Sequence, residues 1–330
     1  MRQIFLGFLL ATGLCAPVFA GCEGNNLINA MPVAEQDALR QRADQAPYAI
    51  GNYWLATRGD AKIHLIGTYH FADPRHSAIM ARLAPDLAEA KTVLVEAGPA
   101  EQESLKQRIS DDPSLIINTK GPTLPEVMAP EDWTRLSKAV SARGIPAFMA
   151  AKFQPWYVSM LLAIPVCGMT EAAEQDGLDS QIIQSAQAQA IPVEALEPYD
   201  TIFGIFGHMS QADQIDMLTA ALAVEGASAD TITTLADSYF AEEGRLIWEF
   251  NRAQSLHLPG YTPERVDEEF AKLEQSMMID RNRAWLPVLE SAAQKGPVFA
   301  GFGALHLSGE DGVLRLLEKA GYTITRLPLP

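Results

Sequence analysis

The sequence KIHLIGTYH at residues 62–70 predicts the architecture of the whole chain. Its short apolar run forms a predicted strand that ends at Gly67, and His70 follows three residues later. The stretch PVFAGFGALH at residues 297–306 repeats this order, with a strand, a glycine and then His306. Two strand-Gly-x-x-His segments at opposite ends of one chain indicate two copies of one structural unit.

Each segment continues in the same way, with a helix and then a second strand. After His70 the next predicted strand covers residues 92–95, and after His306 it covers residues 322–327. A strand, a helix and a parallel strand are joined by a right-handed crossover. The pattern therefore predicts an α/β fold of two βαβ-type units, each with a Gly-x-x-His at the C-terminal end of a strand, sharing a mostly parallel sheet.

The chain between the two units is predicted to be largely helical. A helix over residues 177–190 leads into a strand at residues 191–196, and a helical insertion follows over about residues 200–291. Because no change of composition divides the chain, residues 21–330 are predicted to form a single domain.

Imidazole and carboxylate side chains follow the predicted strands. These residues are His70, Glu96, Glu197 and His306. In a parallel sheet the C-terminal ends of the strands lie along one edge, and ligands bind at that edge. Two imidazoles and a carboxylate are ligands for a divalent first-row metal, which lowers the pKa of its bound water to about 7 and so promotes amide hydrolysis. Each residue also has a structural interpretation, the histidines as hydrogen-bonded turn residues and the glutamates as loop caps.

One arginine falls on the apolar face of a predicted helix. Apolar residues recur over residues 266–288 in steps of three and four, and Arg281 occupies one of these positions. A cation that faces the core needs an anionic partner or a functional reason. Arg281 is therefore predicted either to form a buried ion pair with an Asp or Glu, or to stabilise a developing oxyanion.

Residues 1–20 have the pattern of a secretory signal peptide. Arg2 precedes an apolar run over residues 4–16, and small residues surround a cleavage point after Ala20. We therefore expect an exported, periplasmic protein without a transmembrane segment in the mature chain. An alternative interpretation makes Cys22 the acylated residue of a lipoprotein.

Two cysteines remain beyond the predicted signal peptide, Cys22 and Cys167. In an oxidising compartment such a pair tends to form a disulfide. A bridge between Cys22 and Cys167 is therefore predicted.

The balance of charge bears on the partners of the protein. The chain has 41 acidic and 25 basic residues and a formal net charge of −16. Phosphates would be repelled by this charge, and the sequence contains no Lys/Arg-rich run. We therefore expect no nucleic acid partner.

The two segments Gly67-Thr68-Tyr69-His70 and Gly303-Ala304-Leu305-His306 resemble the motifs of the TraB/GumN family, which is related to the Tiki metalloproteases. Shorter segments that support the resemblance lie at residues 95–98, 177–179, 195–198, 280–282 and 303–326. The resemblance implies a site in which both histidines meet a glutamate and an arginine, which match Glu96 and Arg281. Asp179 and Glu197, in the other matching segments, are candidates for an additional part of the site.

The same resemblance implies peptide-bond hydrolysis and a metal of the Mn²⁺ or Co²⁺ type, and the His and Glu ligands also suit Zn²⁺. The expected metal ligands are His70, His306 and Glu96, and the expected catalytic residues are Glu96 and Arg281. The expected partner is a peptide or protein substrate, and the oligomeric state stays open. The alternative is a non-catalytic periplasmic protein that binds a peptide, a metal or haem through the same histidines.

Overall fold

A six-stranded sheet organises the computed structural model, which describes residues 22–169, 177–258 and 260–330. The predicted signal peptide lies outside these residues. The strands are β1 (Tyr53–Arg58), β2 (Ala61–Thr68), β3 (Thr92–Val95), β4 (Val193–Ala195), β5 (Val298–Gly303) and β6 (Thr323–Arg326), in the order β4-β3-β5-β2-β1-β6. The predicted α/β fold with a mostly parallel sheet is confirmed.

The strand of the second Gly-x-x-His segment, β5, lies between β2 and β3 and pairs parallel with both. Its register places Gly303 opposite Thr68 and Gly301 opposite Val95. Residues 298–302 are all buried, as expected for a strand with both faces covered. Because β4 also pairs parallel with β3, the C-terminal ends of β2, β3, β4 and β5 lie along one edge of the sheet.

The strands at the β6 end of the sheet pair antiparallel, which was not predicted from the sequence. Strand β1 pairs antiparallel with β2 and with β6. The short connection between β1 and β2 contains Gly59 with a φ of 58°, a left-handed conformation that glycine adopts without strain. Strands β1 and β2 therefore form a hairpin, and the first Gly-x-x-His motif lies at the end of its second strand.

Helices cover both faces of the sheet and fill two long connections between its strands. They are α1 (Val33–Ala43), α2 (His76–Glu89), α3 (Pro99–Asp111), α4 (Leu124–Val127), α5 (Pro130–Ala142), α6 (Ala147–Ala150), α7 (Pro155–Leu162), α8 (Leu178–Ala188), α9 (Thr201–Gly207), α10 (Gln211–Val224), α11 (Ser228–Phe240), α12 (Gly244–Ser255), α13 (Pro263–Glu274), α14 (Asp280–Ala293) and α15 (Val313–Lys319). None of the helices in the described part of the chain is long and apolar enough to span a bilayer.

The predicted helical insertion corresponds to α9–α14, which ends at Ala293. A second helical stretch, α3–α7, precedes α8 in the chain between β3 and β4, and the sequence analysis did not place it. Residues from both stretches share a hydrophobic cluster of their own, which includes Leu136, Val158 and Leu218. The two stretches therefore pack on each other.

Pro85 lies inside α2 and does not break it. A proline inside a helix removes one backbone hydrogen bond. Helix α2 nevertheless runs on to Glu89, and its Leu83 and Leu87 are fully buried in the cluster that covers one face of the sheet. Burial of these side chains on both sides of Pro85 stabilises the helix against the lost hydrogen bond.

Helices α13 and α14 are joined by one turn of π-helix, Gln275–Ile279. The backbone N–H of Asp280 donates to the carbonyl of Gln275, five residues earlier in the chain. The predicted amphipathic stretch is therefore one continuous helical segment with a wide turn in it. Such turns occur often at functional sites, and this one ends two residues before Arg281.

Cys22 and Cys167 form a disulfide, as predicted, with their sulfur atoms 2.09 Å apart. The bond joins the segment before α1 to the chain that follows α7. A sulfur in a disulfide is not free to carry a lipid, so the disulfide and the lipoprotein interpretation of Cys22 exclude each other.

Replacing both cysteines by serine, C22S/C167S, should lower the free energy of unfolding. The bond links residues 145 positions apart in the sequence, and the chain-entropy model gives about 5 kcal/mol for a loop of that length. Urea denaturation of the oxidised protein and the double variant measures the difference. A reducing agent should destabilise the wild type alone, and equal stability of the two proteins would contradict the prediction.

A polar cluster is buried between β1, β2 and α2, away from the strand ends. The hydroxyl of Tyr53 donates to Asp86 Oδ2 at 2.7 Å and lies 3.0 Å from His64 Nδ1. His64 Nε2 lies 3.7 Å from Asp86 Oδ1. Burial lowers the pKa of His64 below its usual value, although the Asp86 carboxylate opposes this shift. His64 is therefore neutral in the folded protein at neutral pH.

This cluster should make stability depend on pH in mildly acidic solution. Below about pH 6.5 the unfolded chain binds a proton at His64 that the folded protein resists. The contribution of His64 to stability is therefore complete above that pH and is lost as the pH falls towards its folded pKa. Denaturation of the wild type and His64→Gln at pH 7.5, 6.5 and 5.5 tests this. The difference between the two proteins should shrink with falling pH, and a constant difference would refute it.

Candidate functional site

The side chains expected at the site converge on Gly303, at the end of β5. A Cβ atom built on Gly303 would lie 3.2 Å from Glu96 Oε1, 3.5 Å from His70 Nε2 and 3.8 Å from His306 Cδ2. The backbone N–H of Gly303 also donates to Glu96 Oε1 at 2.6 Å. The parallel order of the strands thus brings both histidines and Glu96 together, as the sequence analysis expected.

His70 is held by an acidic residue from α8. Its Nδ1 donates to Asp179 Oδ2 at 2.7 Å, and the Thr68 hydroxyl donates to the other oxygen of the same carboxylate. The Asp179 charge raises the pKa of His70 above its usual value. Because the His70 side chain is 64 % exposed, water screens part of this effect. Asp179 therefore orients His70 and leaves Nε2 facing Glu96 and Gly303.

The contact between His70 and α8 depends on a close approach of two backbone segments. The N–H of Leu178 donates to the Tyr69 carbonyl at 3.0 Å. A Cβ atom on the neighbouring residue, Gly177, would lie 2.1 Å from the His70 carbonyl oxygen. Only glycine fits at position 177, which explains the Gly-Leu-Asp order that places Asp179 beside His70.

His306 is held by an amide rather than by a charge. It is 4 % exposed, and its Nδ1 donates to Asn282 Oδ1 at 2.6 Å. The Asn282 side-chain nitrogen donates to the Asp311 carbonyl at 2.9 Å, which fixes the orientation of the amide. Burial lowers the pKa of His306 to about 4, although the Glu96 charge opposes this shift. His306 is thus a neutral imidazole whose lone pair is on Nε2.

Arg281 connects three of the strand ends. Its Nε donates to Glu197 Oε2 at 2.8 Å, and its Nη2 donates to Glu197 Oε1 at 2.7 Å and to Glu96 Oε2 at 2.6 Å. Its Nη1 donates to the Met277 carbonyl and to His306 Nε2, both at 3.1 Å. All five guanidinium N–H groups are therefore bound within the protein. The ion pair that the sequence analysis offered as one interpretation is present.

The two glutamates have different positions in this network. Glu197 binds Arg281 through both oxygens and also accepts a hydrogen bond from Trp285 Nε1 at 3.0 Å. Glu96 faces Gly303 and both histidines as well as Arg281. Burial opposes ionisation of Glu96, but the positive charges of Arg281 and His70 and the hydrogen bond from the Gly303 N–H outweigh it and lower the pKa of Glu96. Glu197 thus anchors the arginine, whereas Glu96 is the carboxylate of the candidate site.

The donor types fit a divalent metal, but their arrangement does not. In the described ranges no group of three or more His, Cys, Asp or Glu side chains is placed to hold a metal ion. Arg281 is bound to two of the three expected ligands, Glu96 and His306. The expected metal at His70, Glu96 and His306 therefore stays a prediction.

Sequence reasoning gave no role to two residues that orient the site. Thr68 binds Asp179, and Asn282 binds His306. Asn282 appeared in the sequence analysis only within a matching segment, next to Arg281. The available signal was an amide on the same helical segment as the buried arginine, and its partner 24 residues further on cannot be read from the sequence.

Comparison with known proteins identifies a matching family and two relatives. A model of the TraB/PrgY/gumN family matches residues 52–326, a range that includes every site residue described above. The chain is 25 % identical over 290 residues to the uncharacterized protein YbaP of Escherichia coli (strain K12), which covers 82 % of this chain and 98 % of YbaP. YbaP of Shigella flexneri matches to the same extent.

Gly177→Ala should disturb the site and destabilise the protein. The new methyl group would overlap the His70 carbonyl, and relieving the overlap should cost about 1–3 kcal/mol. Gly226→Ala is the matched control, because a Cβ there meets nothing within 4 Å. Urea denaturation should show a large loss of stability for Gly177→Ala and little change for Gly226→Ala. Equal stability of the two variants would contradict the packing argument.

Proposed function

Because this chain belongs to the TraB/PrgY/gumN family, we propose that it is a hydrolase that cleaves peptide bonds with a divalent metal. The observation that carries the proposal is the convergence of two oriented imidazoles and Glu96 beside Gly303. Each imidazole donates its Nδ1–H to a fixed oxygen, from Asp179 or Asn282. An Nδ1–H that is donated to a fixed oxygen is a feature of histidines that bind metal through Nε2, and it supports the proposal.

The residues of the site have distinct parts in this proposal. His70, Glu96 and His306 would hold the metal, of the Mn²⁺, Co²⁺ or Zn²⁺ type, which when bound would polarise the scissile carbonyl and activate water. Glu96 is the proposed acceptor of a proton from water, through the lone pairs that its hydrogen bonds with Arg281 and Gly303 leave free. An N–H of Arg281 can stabilise the developing oxyanion once it is released from its present partner.

The disulfide supports a place for this reaction outside the cytoplasm. Disulfides persist in oxidising compartments, and Cys22 and Cys167 are bonded. We propose that the protein is exported to the periplasm by the predicted signal peptide. Its substrate would then be a peptide or protein in that compartment.

One observation favours the alternative of a binding protein without catalysis. All five N–H groups of Arg281 already have partners within the protein, so none is free for a charge that develops during a reaction. Turnover separates the two functions. Purified protein mixed with a large molar excess of peptide would convert many molecules if it is an enzyme, and would retain about one if it is a binding protein.

His70→Ala and His306→Ala should each weaken Mn²⁺ binding at least tenfold and remove peptide cleavage, because each deletes one proposed ligand. Electron paramagnetic resonance of free Mn²⁺ measures binding, and amine release from a peptide mixture measures cleavage. His208→Ala and His257→Ala are the controls, because both histidines are exposed and lie outside the site. A wild type that binds no Mn²⁺, Co²⁺ or Zn²⁺, or unchanged His70 and His306 variants, would refute the proposal.

A further inference from the structure

A partly open cavity of about 170 Å³ lies beside His70. Tyr69 and Phe71, the two neighbours of His70 in the chain, both line it. The His70 side chain is 64 % exposed, so a ligand in solution can approach it directly. Because consecutive Cα atoms are about 3.8 Å apart, the wall of the cavity begins within one residue of His70. A ligand that contacts His70 can therefore place a neighbouring group in the cavity.

Apolar side chains form most of the wall of this cavity. They come from the segment around His70, from α11 and from the chain that follows α7, and besides Tyr69 and Phe71 they include Ala72, Pro165, Ile232 and Ala236. A cavity of about 150 Å³ with an aliphatic and aromatic lining accommodates a benzene ring. The cavity beside His70 therefore has the size and the lining that suit a phenylalanine or leucine side chain.

The wall is fixed by stacking and by a covalent bond. The ring of Tyr69 stacks on the buried ring of Tyr239, with 5.5 Å between the ring centroids. Cys22 also lines the cavity, and its disulfide with Cys167 ties it to the segment that supplies Pro165. A cavity whose walls are already ordered loses little conformational entropy when a ligand enters, which favours binding.

The charged side chains at the margin of the cavity have a net negative charge. Arg75 donates to both oxygens of Asp73, at 2.9 Å and 2.7 Å, and its Nη1 donates to Asp237 at 3.4 Å. Two carboxylates face one guanidinium, so one negative charge is left over. An acidic ligand group would be repelled there, and a basic one would lose its hydration against an apolar wall. The charges thus favour an uncharged group.

We propose that this cavity binds one aromatic or branched aliphatic side chain of a peptide, next to the part of the same peptide that contacts His70. Leucine and phenylalanine fill it, alanine leaves it empty, and aspartate and lysine are disfavoured. The proposal rests on the proposed function, because it takes a peptide to be the ligand. It involves neither Glu96 nor Arg281.

Binding of five labelled peptides to the purified protein tests this selection. The peptides have the sequence Gly-Gly-X-Gly-Gly with fluorescein at the amino end, where X is Ala, Leu, Phe, Lys or Asp, and fluorescence anisotropy gives each Kd. The Leu and Phe peptides should bind at least tenfold more tightly than the Ala peptide, because even one methylene group in an apolar pocket is worth about tenfold. Tighter binding of the Lys or Asp peptide than of the Leu and Phe peptides would overturn the proposal.

Ala72→Phe should fill the cavity and remove the preference. Ala72 is partly exposed, so the larger side chain can enter without displacing the core. The Phe peptide should lose at least tenfold in affinity and bind no better than the Ala peptide. Ala142→Phe is the control, because it makes the same change at an exposed position at the end of α5, and its preference should equal that of the wild type. A preference that survives in Ala72→Phe contradicts the proposal.

A second measurement uses the wild type, in case Ala72→Phe does not fold. Methyl spectra of protein labelled at alanine and isoleucine report on Ala72 and Ile232, which both line the cavity. The ring of the bound Phe peptide should shift both resonances, and the Leu peptide, which has no ring, should shift them less. Ile324 of β6 is the control and should not move. Binding of the Phe peptide without a shift of Ala72 and Ile232 would place it elsewhere and overturn the proposal.

Binding and cleavage of the same peptides are measured separately, so the proposed function and the proposed cavity can fail independently. Cleavage with no preference for Leu or Phe over Ala overturns the role of the cavity and leaves the hydrolase intact. Selective binding of the Leu and Phe peptides without release of any product supports the role of the cavity and overturns the hydrolase. A protein that binds none of the five peptides overturns the role of the cavity.

Discussion

The parallel pairing of β5 with both β2 and β3 is the constraint on which the rest of this structure depends. Strand β5 comes from the far end of the chain, yet its residues 298–302 are fully buried in the middle of the sheet. Because it runs in the same direction as its two neighbours, its end meets theirs at one edge. His70, Glu96 and His306 are adjacent for this reason, since each lies one to three residues after its strand. The parallel pairing of β4 with β3 brings Glu197 to the same edge.

Negatively charged side chains outnumber positively charged ones at this edge of the sheet, and Arg281 offsets the repulsion between them. Two largely buried carboxylates, Glu96 and Glu197, share one guanidinium. Buried ion networks of this kind seldom add net stability, because the desolvation of the charges offsets their attraction. All five N–H groups of Arg281 are nevertheless hydrogen-bonded within the protein. The cluster therefore holds Arg281 in one orientation between the strand ends rather than adding net stability.

The two halves of the site are alike in backbone and different in electrostatics. Both histidines follow a Gly-x-x-His turn and donate Nδ1–H to an oxygen. His70 is exposed and faces the charge of Asp179, whereas His306 is buried and faces the neutral amide of Asn282. Their pKa values are accordingly shifted in opposite directions. A repeated sequence motif thus gives two chemically distinct imidazoles.

The sequence by itself determined which reactive side chains follow the strands. It contains apolar runs that end at glycine, histidines and glutamates that follow predicted strands, and an arginine on the apolar face of a helix. These patterns repeat every two or 3.6 residues along the chain, so they can be recognised without knowing which segments pack together. Strand β1 and helices α3–α7 were not predicted from the sequence. Helix α3 in particular has no buried residue that would identify it as a helix. Only the tertiary structure decided that Asn282 holds His306, that Gly177 must be glycine and that Arg281 binds Glu96, Glu197 and His306. Those facts depend on distances between segments and on burial, which exist only once the chain has folded.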